Sequence, residues 1–276
     1  MRFLKSVFNF YINSSIHVAL AVCSFVGISV LEFDISVTND LLRFIFFGTI
    51  TGYNFVKYAE VAKLKHRSLN LSLRTIQTFS FFSFLALLYY TFQLSFKTLL
   101  VTGGFAALTF FYAIPFLKYK KLRELLGIKI LIVAVVWAGV TTIIPLVNED
   151  VILSEVFWIS FIQRMLFVLA LTLPFEIRDL QFDELALGTL PQRVGVRTTK
   201  FIGTALLVLI ILIEFFKPEL DWNSLISLVL ISGVLIMFLS ISEENQSKYF
   251  SSFWVESIPI LWFVILLLIQ SYLDIS

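Results

Sequence analysis

The chain alternates long apolar stretches with short polar ones. Predominantly apolar runs fall at Tyr11–Leu31, Leu41–Tyr58, Thr75–Leu94, Thr98–Leu117, Leu125–Leu146, Val151–Phe175, Phe201–Phe216, Leu225–Ile241 and Phe253–Leu273. A helix needs about 20 apolar residues to cross the hydrocarbon of a bilayer. The pattern therefore predicts nine transmembrane helices, the seventh and eighth being the shortest. The polar segments between them differ in kind. Arg2 and Lys5 precede the first run, and Lys57, Lys63, Lys65, Arg67 and Arg74 lie between the second and third. Lys118, Lys120, Lys121 and Arg123 separate the fourth from the fifth; Arg178, Arg193, Arg197 and Lys200 follow the sixth, and Lys248 the eighth. The alternate segments hold only Lys97 and Lys217, beside Glu32, Asp34, Glu149, Asp150 and Asp221. Short cytoplasmic loops carry the excess of Lys and Arg. The N-terminus is thus expected inside and, with an odd number of spans, the C-terminus outside.

Composition excludes a soluble domain. Hydrophobic residues make up 59% of the 276 and charged residues 14%, with a mean hydropathy of +0.93. A soluble chain carries roughly 25% charged residues to wet its surface. The expected fold class is an all-α integral membrane bundle, one polytopic domain over residues 1–276. A bacterial inner membrane is the expected location, and no nucleic-acid partner is expected. The single Cys23 lies in the first run, so disulfides play no part, and no zinc spacing or glycine-rich phosphate loop is present. Two isolated residues take modest readings. His17 reads first as a hydrogen-bonded helix-interface histidine. Arg164 lies mid-span, where a cation is costly and is paired or faces a cavity; at 1.5 Å per residue it is about 22 Å along the helix from Asp179.

The chemistry concentrates after the sixth run, in Leu173-Pro-Phe-Glu-Ile-Arg-Asp-Leu-Gln-Phe-Asp-Glu184. Glu176, Asp179 and Asp183 stand at i, i+3 and i+7, which share one face of a helix. Three like charges there repel, and a divalent cation relieves the repulsion. Hard oxygen ligands suit Mg²⁺, held by one or two carboxylates plus substrate phosphates. The competing reading is a solvated acidic helix end paired to Arg178. Pro174 removes one helical hydrogen bond just before this segment, and Gly48 and Gly52 form a close-packing pair in the second run.

This segment resembles the second aspartate-rich motif of the UbiA-type intramembrane prenyltransferases. Glu176-x-x-Asp179-x-x-x-Asp183 is followed at the matching distance by Thr189-Leu190-Pro191-Gln192-Arg193-Val194-Gly195. Phe111-Tyr112-Ala113-Ile114-Pro115-Phe116-Leu117-Lys118 is similar to the family's Tyr-x-x-Pro stretch with a basic loop after it. The first family motif, NDxxDxxxD, is not matched: Asn54 stands in place, but Phe55, Tyr58 and Ala62 occupy the aspartate positions. The resemblance implies a nine-helix UbiA-like bundle that transfers a polyprenyl group from a polyprenyl diphosphate to an aromatic ring or another lipid-soluble acceptor. It implies Glu176, Asp179 and Asp183 as Mg²⁺ ligands, with one ion fewer than in typical members. Asn54, Lys57 and Arg178 become the expected catalytic residues. Tyr58, Tyr112 and Lys118 join those three as expected donor contacts. Lys57 could supply an ammonium where the first motif's carboxylates are missing; the competing reading is that it snorkels to the lipid headgroups. The alternative is a catalytically impaired homologue that binds an isoprenoid lipid or acts as a scaffold.

Overall fold

The computed structural model of the chain describes residues 2–58, 71–113, 128–181 and 188–273. All regular structure among them is helical: α1 (Arg2–Asn13), α2 (Ile16–Glu32), α3 (Asn39–Tyr58), α4 (Leu71–Thr91), α5 (Phe96–Ala113), α6 (Ile128–Ala138), α7 (Ile144–Asn148), α8 (Glu155–Asp179), α9 (Leu190–Glu214), α10 (Trp222–Ser240) and α11 (Ile258–Leu273). A π-helical turn, Gly139–Ile143, joins α6 to α7 as one rod, and a second, Phe250–Val255, leads into α11. Gly139 permits a close approach at the first turn, because a side chain there would overlap the ring of Phe105 on α5.

Six of the described helical segments are long and apolar enough to cross a membrane, and the bent pair α1–α2 makes up to seven. The nine expected spans are met only to that extent by length and composition. The other two, α3 and α4, have 20 and 21 residues, about 30 Å at 1.5 Å per residue. Polar and charged residues such as Asp40, Arg43, Asn54 and Lys57 in α3, and Arg74 and Gln77 in α4, dilute their hydropathy.

Three expected boundaries move. The first span is broken rather than straight: α1 and α2 meet at 53°, at Ser14 and Ser15, the latter in left-handed backbone with φ 64°. The sixth begins at Glu155 because the Ser154 hydroxyl caps it, accepting from the Phe157 N–H at 3.3 Å. The seventh begins at Leu190, where the Thr189 N–H donates to the Gln192 side chain at 3.0 Å, as in a capping box. Gly195, φ 80°, then breaks its helical path, a conformation open to glycine and costly for side chains with a Cβ.

The core runs along α2, where Ala19, Ala21, Phe25 and Val26 are fully buried. Phe25 sits at its centre, edge-on to Trp137, Phe167 and Trp262 at 6.0 Å each. Large apolar side chains also cover the outside, among them Phe81, Phe82 and Phe92 on the α4 side and Phe201, Phe215 and Phe216 on α9. In water that surface is a liability; in lipid it is the solvated face of an integral membrane bundle.

Candidate active site at the polar end of the bundle

The C-terminal ends of α3, α5, α8 and α10 meet the N-terminal ends of α6, α9 and α11 at one end of the bundle. Short polar ties fasten this end: the Tyr249 hydroxyl and Lys248 Nζ reach Asn9 Oδ1 at 2.6 and 3.1 Å. Gln181 Nε2 donates to the Glu244 carbonyl at 3.0 Å. The Pro174 carbonyl accepts from Gln246 Nε2 at 3.0 Å, so the kinked end of α8 is held by the segment before α11.

Glu176 is buried at this end, 4% exposed, and its carboxylate lies 2.8 Å from Lys129 Nζ on α6. Asp179 is partly exposed and is clasped by its neighbour: Arg178 Nε and a terminal guanidinium nitrogen approach the same Asp179 oxygen at 2.8 and 2.7 Å. The guanidinium also lies over the Phe175 ring, 5.4 Å from its centroid. The pairing of Arg178 with the acidic helix end, read from sequence as the alternative to a metal, is therefore present. Helix α8 ends at Asp179, and Asp183 lies outside the described residues, as does Lys118. Among the described residues no three His, Cys, Asp or Glu side chains cluster closely enough to hold a metal ion.

The end of α3 holds three of the residues read against the first motif, Asn54, Phe55 and Tyr58. Asn54, 3% exposed, accepts from the Ser15 hydroxyl at 2.8 Å and donates to the Ser14 carbonyl at 3.1 Å and the Ser80 hydroxyl at 2.8 Å. Its amide thus holds the α1–α2 bend against α3 and α4. The Tyr58 hydroxyl donates to the Asn13 carbonyl at 3.0 Å, fastening the same bend. Phe55 stacks on Phe110 of α5, ring centroids 6.1 Å apart. Of the expected donor contacts on α3, Lys57 alone keeps an uncommitted polar head: it is exposed and makes no hydrogen bond among the described residues. Its ammonium interacts electrostatically with Arg178 and with a residue absent from the sequence expectations, Glu256.

Glu256 follows the π-helical turn before α11. Its carboxylate is within electrostatic reach of Lys57 on α3 and Arg178 on α8, and of Tyr53 on α3 and Tyr11 on α1. It makes no side-chain hydrogen bond or ion pair among the described residues. Tyr53 accepts from the Trp137 indole N–H at 2.6 Å and is also within electrostatic reach of Tyr112 at the end of α5. The polar end therefore combines three cations, Lys57, Lys129 and Arg178, with three carboxylates, Glu176, Asp179 and Glu256. Sequence reasoning missed Lys129 and Glu256, although a signal existed. Both are ionisable residues inside expected spans, and such residues are functional candidates by default.

Among the described residues, Glu176 and Asp179 lie one turn apart and match the one or two carboxylates that a Mg²⁺ ion needs beside substrate phosphates. At the end of α3 the described residues add no further carboxylate, since Asn54 is consumed in packing and Phe55 and Tyr58 offer none. His17 and Arg164 are accounted for elsewhere. His17 donates from Nε2 to the Phe253 carbonyl at 3.0 Å and pairs through Nδ1 with the Tyr11 hydroxyl at 2.7 Å. Arg164 donates to the Phe25 carbonyl at 2.8 Å and lies 3.7 Å from Glu32.

No protein-family model and no curated protein matches the chain. Solved structures do. A UbiA homologue from Aeropyrum pernix K1, in its apo form, superposes with a TM-score of 0.63 at 13% identity over 94% of this chain and 98% of its own. A digeranylgeranylglyceryl phosphate synthase gives 0.55 at 18% identity, over 98% and 97%. A UbiA homologue from Archaeoglobus fulgidus, bound to GPP and Mg²⁺, gives 0.56 at 14% identity, over 95% and 99%. Over nearly its whole length the chain has the fold of the UbiA-type intramembrane prenyltransferases.

Proposed function

We propose that the protein binds a polyprenyl diphosphate at the polar end of the bundle and transfers the polyprenyl group to a lipid-soluble acceptor. The observation that carries this reading is the convergence of Lys57, Lys129 and Arg178 on the Glu176–Asp179 segment, in a bundle with a UbiA-like fold. Ionising a prenyl diphosphate requires the charge growing on the leaving group to be neutralised where water is scarce, and such stabilisation is usually the largest catalytic contribution. Arg178 presents a planar fork suited to phosphate oxygens. Lys57 presents a point charge on a flexible stem, with no competing hydrogen bond among the described residues. One Mg²⁺ held by Glu176, Asp179 and Asp183 would add Lewis-acid stabilisation of the departing diphosphate. Asn54 acts on the donor indirectly, by fixing the end of α3 from which Lys57 extends. Tyr58 does the same through Asn13, and Tyr112 and Lys118, the latter outside the described residues, are further candidate donor contacts. The nine-span topology, with this end cytoplasmic in a bacterial inner membrane, belongs to the same proposal.

The test is turnover and binding on labelled prenyl diphosphates of several chain lengths, with Mg²⁺ and with EDTA. Lys57→Met is expected to weaken diphosphate binding by about 1.5–3 kcal/mol, the range for hydrogen bonds to charged groups, and Lys57→Arg to retain part. Asp179→Asn is expected to weaken it only while Mg²⁺ is present. Diphosphate binding indifferent to all three changes would sink the site assignment. The second reading, a lipid-binding homologue without turnover, is favoured by the commitment of Asn54, Phe55 and Tyr58 to packing. Tight binding with no product on any acceptor would select it.

A further inference from the structure

A second polar cavity lies at the other end of the bundle, away from the residues read as the donor site. It encloses about 30 Å³ and reaches from Glu32, the last residue of α2, to Trp262 on α11. Ser160, Gln163 and Arg164 stand at i, i+3 and i+4 on α8, which places them on one face of that helix. All three line the cavity and are buried, as is Glu214 at the end of α9. Lys217 closes the ring, its Nζ donating to Glu32 and to Glu214 at 2.9 Å each. Ionisable groups inside a membrane bundle are costly, and they mark functional positions by default.

The hydrogen bonds of this ring do not close on themselves. Arg164 is 2% exposed and carries five N–H donors. Among the described residues it makes one hydrogen bond, from Nη1 to the Phe25 carbonyl at 2.8 Å. The Glu32 carboxylate stands 3.7 Å from its Nη2, too far for a direct bond. The rings of Phe25 and Trp262 cover the guanidinium at 4.7 and 5.5 Å, but a ring face accepts no bond from the N–H edge. Gln163 spends both amide hydrogens, on the Ile210 carbonyl and on Glu214. Its own Oε1 accepts none among the described residues. The Ser160 hydroxyl and Lys217 both donate to the same oxygen of Glu32, leaving the other to the gap before Arg164. Spare donors on Arg164 and spare acceptors on Glu32 and Gln163 therefore border one small space.

That space selects its occupant. Two carboxylates, an ammonium and a guanidinium sum to zero, so an added ion of either sign would leave a buried charge uncompensated. An apolar guest would leave the spare donors and acceptors unmet. A neutral molecule that both donates and accepts satisfies them. At roughly 10–15 Å³ for each water, the volume holds about two. A polar gap wider than a direct hydrogen bond is where a bridging water belongs. We propose that this cavity is a water-binding site, in which about two ordered waters bridge Arg164 to Glu32 and to Gln163. The ring of charges that ties α2, α8 and α9 is completed by these waters.

Two measurements on the wild-type full chain test this. The first is diffraction from crystals grown in a lipidic mesophase with bromide in place of chloride. Ordered water peaks are expected within hydrogen-bond distance of the Arg164 guanidinium and Gln163 Oε1, with no anomalous signal from bromide. The second is hydroxyl-radical footprinting in lipid nanodiscs, because radicals formed from bound water oxidise the side chains beside it. Leu228 lines the cavity, whereas Ile231, one turn on and equally buried, does not. Leu228 is expected to be oxidised several-fold faster than Ile231. A bromide peak in the cavity would make it an anion site and overturn the proposal. Leu228 as unreactive as Ile231 would show the cavity to be dry and would overturn it too.

Discussion

At the end of the bundle away from the candidate site, a buried charge network offers a direct test of how the helices are held. Lys217 Nζ lies 2.9 Å from both Glu32 and Glu214, and these three side chains are only 7%, 14% and 2% exposed. Glu214 also accepts from Gln163 at 2.7 Å, Glu32 from Ser160, and Arg164 stands 3.7 Å from Glu32 beneath the rings of Phe25 and Trp262. The network borders a cavity of about 30 Å³ lined also by Ser227. Lys217→Met removes the ammonium and leaves two buried carboxylates facing each other. At an effective dielectric of 20, each contact at this distance is worth about 6 kcal/mol of attraction, most of it offset by the cost of drying the charges. Removing one partner of a buried pair costs roughly 3–5 kcal/mol. That should lower the thermal midpoint by on the order of 10 °C, followed by tryptophan fluorescence in detergent. Adding Glu214→Gln to Lys217→Met should recover part of the loss, because Glu32 then keeps Arg164 as its partner and Glu214 is no longer an unpaired buried carboxylate. A midpoint for Lys217→Met within about 2 °C of wild type would show the network to be solvated and would refute this reasoning.

Three further outcomes follow from the same observations. Burial pulls the Lys217 pKa down, and Glu32 and Glu214 more than offset it, so it is raised above its ordinary 10.5. Its contribution to stability should therefore be intact below that pH and lost as pH rises through the higher folded value; a midpoint unchanged on strong alkalinisation relative to Lys217→Met would contradict it. Cysteines placed at Asn245 and Asp221, exposed residues at opposite ends of α10, should be labelled from opposite sides of the membrane, Asn245 from the cytoplasm; labelling from one side would mean α10 does not span. Asn54→Ala should destabilise by about 3 kcal/mol, three hydrogen bonds at roughly 1 kcal/mol net each, read as a lowered thermal midpoint with any donor absent.

Much of the architecture was legible because the bilayer imposes it. Unpaired backbone polar groups are intolerable in hydrocarbon, so every long apolar run had to be helical, and the positions of α4, α5, α8, α10 and α11 follow the runs within a few residues. The break at Ser14–Ser15 was not legible. No proline or glycine marks it, and its cause is distant in sequence: Asn54 and Tyr58, some forty residues on, capture the Ser14 and Asn13 carbonyls. The partner of Arg164 was hidden for a like reason. Glu32 ends α2 and Lys217 follows α9, 185 residues on, and only the folded bundle, with Phe25 of α2 against Phe167 of α8, brings them to Arg164. His17, by contrast, behaves as its sequence context suggested, because a neutral imidazole between helices has few options other than donor and acceptor contacts.

The candidate site was legible as a segment and not as an arrangement. The spacing of Glu176 and Asp179 marked the carboxylates, and the structure adds that each already holds a cation, Lys129 or Arg178. Formal charge shows why the changed first motif need not weaken the site's hold on an anion. In the pattern this region resembles, three aspartates and the one Mg²⁺ they hold sum to minus one. Lys57 alone is plus one, reaches the same end of α3, and needs no dehydrated cage of ligands to be held there. Under the proposed function, an ammonium in place of carboxylates and metal would make that side of the site more attractive to a diphosphate at long range, while giving up the Lewis acidity that a second metal would lend to bond breaking.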